Sequence, residues 1–274
     1  MLRDLFLQIT STEQSNKTPA TMLIFAHPDD EVIALGARLG RFHSPVLVHV
    51  TDGAPRNEQD SRAHGFPTLE EYRRSREIEL SHALQLAGLE KAQRVHLQIS
   101  DQETSFVLSQ LGRELSRLFS EYQPEIVFTH PYEGGHPDHD ACAFAVHRAA
   151  AQMEAKGRKR PLIVEGAFYH AGAQGIETGC FLPHEKGAEE IHFALSPEEQ
   201  QYKQRLFACF ASQRDVLRYF TTERECFRVA PQYDFHQPPH AGTVFYDQYP
   251  WGMTSRRFCE LACAADLAES MARL

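Results

Sequence analysis

Short unbroken apolar runs alternate along this chain with longer segments whose apolar residues recur every three or four positions. Residues 21–26 (TMLIFA) form the first such run and end at His27-Pro28-Asp29-Asp30, after which EVIALGARLGRFH reads as a helix with acidic residues at its start. A second strand, residues 45–50 (PVLVHV), stops at Thr51-Asp52-Gly53 and gives way to a polar, turn-rich loop over 54–67. Helical spacing returns at Leu80, Ala83, Leu84 and Ala87, and again at Leu108, Leu111, Leu115, Leu118 and Phe119, with the strand RVHLQI between them. The strand EIVFTH (125–130), the loop PYEGGHPDH and a helix with its stripe at Cys142, Ala145, Val146, Ala149 and Met153 continue the series to a strand over 162–169.

Strands alternating with helices predict an α/β fold: a Rossmann-like, mainly parallel sheet with helices on both faces. In such sheets ligands bind beyond the C-terminal ends of the strands, which is where both His-Pro-Asp loops fall. From residue 172 onward the pattern loosens into a polar stretch, a strand IHFAL, a helix from Ser196, a Pro- and aromatic-rich segment over 231–253 and a last helix. Nothing there reads as a linker, so one α/β domain over 1–274 is expected, with 172–274 as its less regular elaboration.

Composition narrows the function. With 28 Lys+Arg against 37 Asp+Glu, the net charge is −9, which disfavours binding to a phosphate backbone; no nucleic-acid partner is expected. The first residues lack a signal-peptide core and no stretch approaches a membrane span, which makes the expected location cytoplasmic. Six cysteines occur without a C-x-x-C pair and suggest neither a disulfide framework nor a thiolate zinc site. Fifteen histidines are many for this length, and two stretches combine histidine with carboxylates.

In His27-Pro28-Asp29-Asp30-Glu31 an imidazole and a carboxylate three residues apart can converge from one strand-to-helix junction, and His136-Pro137-Asp138-His139 can add a further ligand. Three such ligands with an open fourth position are what catalytic zinc requires. Helix capping by Asp29, Asp30 or Asp138, with Pro28 and Pro137 fixing helix starts, is the plainer reading of either loop alone. Two such loops at the strand ends of one sheet favour the metal reading.

The two motifs resemble those of the PIG-L or LmbE-like N-acetylglucosaminyl de-N-acetylases, a family that includes deacetylases of mycothiol and bacillithiol biosynthesis. The similarity extends more weakly through Tyr72-Arg73-Arg74-Ser75-Arg76-Glu77 and Ser212-Gln213, and so over most of the first 215 residues. It implies that His27, Asp30 and His139 bind Zn2+, that Asp29 is the general base, that His136 assists the polarised intermediate as a protonated imidazole, and that Asp138 orients His136 and raises its pKa. It also places an arginine, best Arg73 or Arg76, near the substrate. Some relatives carry tyrosine two residues before the second motif, where this chain has Gly134, with Tyr132 two residues earlier. Tyr132 is therefore carried as a substrate contact, against the alternative that its ring is simply packed.

Among other residues, Asp52 either orients His27 or closes a turn, while His64, His130, His170, His236 and His240 are expected to be structural or on the surface. The aromatic segment is expected as a folded lid or an oligomer contact more than as a sugar-stacking wall. The activity expected is a zinc-dependent hydrolase that removes an N-acetyl group from an N-acetylglucosamine-type sugar or glycoconjugate. The alternatives are an amidase acting on a thiol conjugate or natural-product acyl amide, or a non-catalytic sugar- or nucleotide-binding module. The last is disfavoured because no G-x-G-x-x-G follows the first strand. Its partner would be a small-molecule substrate; a homo-oligomer and iron in place of zinc are both left open.

Overall fold

The computed structural model describes Phe6 and residues 19–173, 175–183 and 189–272. Its centre is a seven-stranded sheet in the order β3-β2-β1-β4-β5-β9-β8. Strands β1 (Thr21–Phe25), β2 (Val46–Thr51), β3 (Gln93–Ile99), β4 (Ile126–Thr129) and β5 (Leu162–Gly166) are parallel. Their unbroken apolar runs follow from burial on both faces, as helices cover each side.

Helices α1 (Asp30–Leu39) and α3 (Leu69–Leu86) lie on the face lined by Leu23, Phe25, Phe128 and Val164. On the other face α4 (Leu108–Tyr122), α5 (Pro137–Ala155) and α8 (Ser255–Ala272) pack against Met22, Ile24, Val48 and Val127. The short helix α2 (Gln59–Ala63) lies in the polar loop after β2. Because β1 pairs with both β2 and β4, the chain leaves β1 in one direction and returns on its other side, so a crevice opens above the ends of β1 and β4.

The strand expected over 162–169 divides into β5 and β6 (Tyr169–Gly172), and β6 pairs antiparallel with β7 (Gly175–Thr178) as a separate hairpin. Strand β8 (Glu190–Ala194) and the helix α6 (Pro197–Phe207) lie where the periodicity places them, and Ser196 closes a capping box with Glu199. Between the short helix α7 (Arg214–Leu217) and the aromatic segment runs β9 (Arg224–Val229), antiparallel to both β5 and β8. It carries charged residues that the strand pattern does not anticipate: Glu225 bonds the Ala37 amide, Arg38 and Lys203, and Arg228 bonds Glu165 and Glu133. Among the described residues, no helix is long and apolar enough to cross a membrane.

Candidate metal centre

Strand β1 runs straight into the first loop, where the amides of Asp29 and Asp30 both bond the His27 carbonyl at 3.0 and 3.2 Å. This tight turn starts α1 at Asp30 and places that carboxylate beside the positive end of the helix. Asp30 folds back, and its Oδ2 accepts the His27 amide at 2.7 Å. In the second loop Pro137 occupies the first turn of α5, and the cap is the His136 ring, whose Nδ1 accepts the Asp138 amide at 3.1 Å. One residue further, His139 turns back over the sheet edge.

The two loops converge. His27 Nδ1 lies 3.2 Å from Asp30 Oδ2 and 3.3 Å from His139 Nε2, and His139 Nε2 lies 3.4 Å from Asp30 Oδ1. Each spacing is close to a tetrahedral edge for metal–ligand bonds of about 2.0–2.1 Å, with Asp30 facing His27 through Oδ2 and His139 through Oδ1. The donor set, two imidazoles and a carboxylate, fits a divalent cation of the zinc class. All three side chains are buried.

On its far side, His27 Nε2 is 3.1 Å from Asp101 Oδ1 and 3.4 Å from Asp138 Oδ2. A metal-binding histidine ordinarily gives its second N–H to a carboxylate, which fixes the ring and frees the other nitrogen. Asp101 is in that position and was not singled out by any motif. Asp52, the sequence candidate for this role, closes a turn on the Ala54 amide, pairs with Arg73 at 2.5 Å and accepts the Asp101 amide at 3.3 Å. It therefore holds the residue that holds His27.

Asp138 also differs from expectation. Its carboxylate accepts the amides of Gln102 (2.6 Å) and Thr104 (3.1 Å), and lies 3.9 Å from His136 Nδ1, beyond hydrogen-bond reach. What fixes the His136 ring is the Asp138 amide. Burial and the neighbouring His27 push the His136 pKa down to about 3 against the opposing pull of Asp138, so His136 is a neutral imidazole with its proton on Nε2. His139 is likewise lowered to about 3 by burial and His130.

Burial raises Asp29 to about 7, with the Arg76 guanidinium opposing it. Arg76 Nη1 sits 3.4 Å from Asp29 Oδ2, and the Arg76 side chain is only 2 % exposed. This arginine, a candidate for the position near the substrate, is therefore a buried partner of Asp29. Arg73 is half-buried and lines, with Arg56 and Arg74, a cleft of about 800 Å³ beside Pro28 and Asp52. Tyr132 packs its ring among Tyr233, Phe235 and Phe258 and donates its hydroxyl to the Gln237 carbonyl. That is the packed-ring alternative, with Tyr132 only 3 % exposed.

His130 lies behind the site with its ring stacked on His139 at 3.9 Å. Its Nε2 accepts the Ala26 amide at 2.9 Å, so that lone pair is already used and His130 braces the centre. His64 stacks on Tyr72, His236 bonds Asp266, and His240 bonds the Ala241 carbonyl. Trp251, from the aromatic segment, lies 4.9 Å from the His136 ring. Ser212 and Gln213 tie Glu79 and Tyr72 of α3 in place, which brings Arg73 and Arg76 to the site.

Residues 22–150 match the family described as PIG-L, GlcNAc-PI de-N-acetylase. Comparison with curated proteins gives no significant match. Among solved structures, a deacetylase of the teicoplanin biosynthesis pathway is 16% identical with a TM-score of 0.59, over 78% of this chain and 99% of its own. The N,N'-diacetylchitobiose deacetylase from Pyrococcus horikoshii is 18% identical with a TM-score of 0.53, over 88% and 95% respectively. A 4-carboxy-2-hydroxymuconate hydratase from Pseudomonas putida is 16% identical with a TM-score of 0.55, over 79% and 98%. These likenesses are of fold, and the hydratase among them is a reminder that a fold does not choose its reaction. Both motif loops, with His27, Asp30 and His139, lie within the segment that matches the PIG-L family model.

Proposed function

We propose that this protein is a zinc-dependent N-deacetylase that hydrolyses the acetamide of an N-acetylglucosamine-type sugar or glycoconjugate. The observation that carries the reading is the 3.2–3.4 Å spacing of the donors on His27, Asp30 and His139. Zinc held there would supply Lewis acidity toward water and an amide carbonyl. Asp29, whose carboxyl is balanced near neutrality by burial against Arg76, accepts the proton that a nucleophilic water must lose. His136, as a neutral imidazole, donates its Nε2–H to the acetamide oxygen as charge grows there. Asp138 and Asp101 keep His27 and the loop at residues 100–104 in register.

Arg56, Arg73 and Arg74, interleaved with Asp52 and Glu70, give the cleft both donors and acceptors for a hydroxylated sugar. The reading takes residues 1–274 as one cytoplasmic α/β domain, supported by β8 and β9, which extend the same sheet that carries the motifs. Acetate release from N-acetylglucosaminides, by metal-replete and chelator-treated protein, tests it. Turnover only with metal is expected. A metal-replete protein that cleaves no N-acetylated sugar refutes the substrate, and one that cleaves no N-acyl amide of any kind refutes the reaction.

A further inference from the structure

The β6–β7 hairpin brings together three groups that lie apart from the catalytic donors. His170 of β6 and Glu177 of β7 are cross-strand partners, so their side chains leave the same face. Cys180 follows two residues after β7, and its Sγ lies 3.8 Å from His170 Nε2. Ligand atoms of His170, Glu177 and Cys180 all fall within 4.8 Å of one another. From these positions we propose a second metal site, in which His170 Nε2, the Cys180 thiolate and a Glu177 carboxylate oxygen bind a zinc-class divalent cation.

Three features prepare the hairpin for this. His170 Nδ1 faces the Ala171 carbonyl at 3.2 Å, which puts the ring proton on Nδ1 and leaves the Nε2 lone pair toward Cys180. A backbone carbonyl on the second nitrogen is a usual partner of a metal-binding imidazole. Gly172 supplies room: the Glu177 side chain crosses the place where any Cβ at that position would stand. The third feature is the spacing. For tetrahedral zinc with a sulfur bond of about 2.3 Å and a nitrogen bond of about 2.0–2.1 Å, sulfur and nitrogen are separated by about 3.5 Å, close to the distance found.

One sulfur, one nitrogen and one carboxylate oxygen favour zinc over magnesium or calcium, which prefer oxygen alone. The thiol proton passes to solvent as the cation binds, and no redox change is involved. The site leaves a fourth position open, and half-exposed Cys180 and exposed Glu177 give a cation access. Sequence spacing conceals it, because Cys180 has no cysteine partner at metal spacing and Glu177 reaches His170 only through the turn of the hairpin. Its neighbour in β6 is Tyr169, whose ring meets His139 at 5.6 Å, so a cation here would tie down the strand that borders the catalytic centre.

Cobalt(II) titration of metal-free full-length protein distinguishes the two sites, since only the hairpin site contains sulfur. Expected are two bound equivalents and a near-ultraviolet thiolate-to-cobalt charge-transfer band. Cys180→Ala, a small change at a half-exposed side chain, should lose the band and one equivalent. His27→Ala should lose the other equivalent and keep the band. Cys226→Ala serves as a control and should keep both, although Cys226 also faces an imidazole, His192, at 3.0 Å. Wild-type protein without the band, or a band that survives in Cys180→Ala, overturns the proposal.

Discussion

The two parts of this chain solve different problems with different backbone. Residues 22–150 build parallel strands whose C-terminal ends deliver His27, Asp30, Asp101, His136 and His139 to one point. The part beyond residue 172 adds antiparallel β8 and β9, buries its charges in pairs and sends Trp251 back to cover His136. Reactive groups thus come from strand ends fixed by the sheet, and the surroundings of the site come from segments that owe their position to packing. If the division holds, damage in the first part removes chemistry and damage in the second changes recognition or stability. The strongest test is His139→Ala, which should lose the metal equivalent of the catalytic centre and cut kcat/KM at least about a thousandfold, roughly 4 kcal/mol of barrier. Metal analysis alongside kinetics checks it; full metal content in the variant would remove His139 from the ligand set.

A second break within the first part separates donors from the groups that aim them. Asp101→Ala leaves His27 Nε2 without its nearest carboxylate acceptor and should weaken metal binding about 10–100-fold, measured by competition with a chelator. Asp101→Asn keeps an acceptor and should recover part of the loss. Equal affinity in wild type and Asp101→Ala would mean that Asp138, at 3.4 Å, suffices to orient His27.

What could be read from the sequence divides along the same line. The parallel strands are legible because double burial makes them unbroken apolar runs, and the donors are legible because His27/Asp30 and His136/His139 are close in sequence. Asp101 was hidden because it reaches the site across 74 residues with no motif of its own. Strand β9 was hidden because Arg224, Glu225 and Arg228 look exposed until Glu165, Arg38 and Lys203 are seen to neutralise two of them. Arg76 and Tyr132 show the opposite case: residue types suited to substrate contact that are here buried against other side chains. Gly134 has its own explanation: it adopts φ +70, and a Cβ there would stand 2.6 Å from the Val244 Cβ. The aromatic segment occupies the space that a tyrosine at that position would need.

Within the second part, Trp251 offers the finest probe of recognition. It is half-buried, stacked on Tyr249 at 4.8 Å and 4.9 Å from the His136 ring, while Phe235 and Tyr246 of the same segment lie in the core. Trp251→Ala should raise KM about tenfold, near 1.4 kcal/mol, with kcat nearly unchanged, because a wall binds ground and transition states alike. A fall in kcat at constant KM would instead mean that Trp251 holds His136 in its reactive position.

The smallest effect expected lies in the pairs that fasten the second part to the first. Glu133 accepts the Leu182 amide at 2.8 Å and Arg228 at 2.9 Å through one oxygen, while its other oxygen has no hydrogen-bond partner among the described residues. Burial raises its pKa from about 4.5 to about 8, against the pull of Arg228. Between those values the folded protein retains a proton that the unfolded chain has released. The contribution to stability is therefore fully present below about 4.5 and is lost as pH rises through about 8. Glu133→Gln keeps the accepting oxygen and cannot ionise, so the decline of Tm across this window should become shallower than in wild type. A parallel decline would show that Glu133 is ionised in the fold, with Arg228 shared between two carboxylates; the substitution would then lower Tm by a similar amount at every pH in the window.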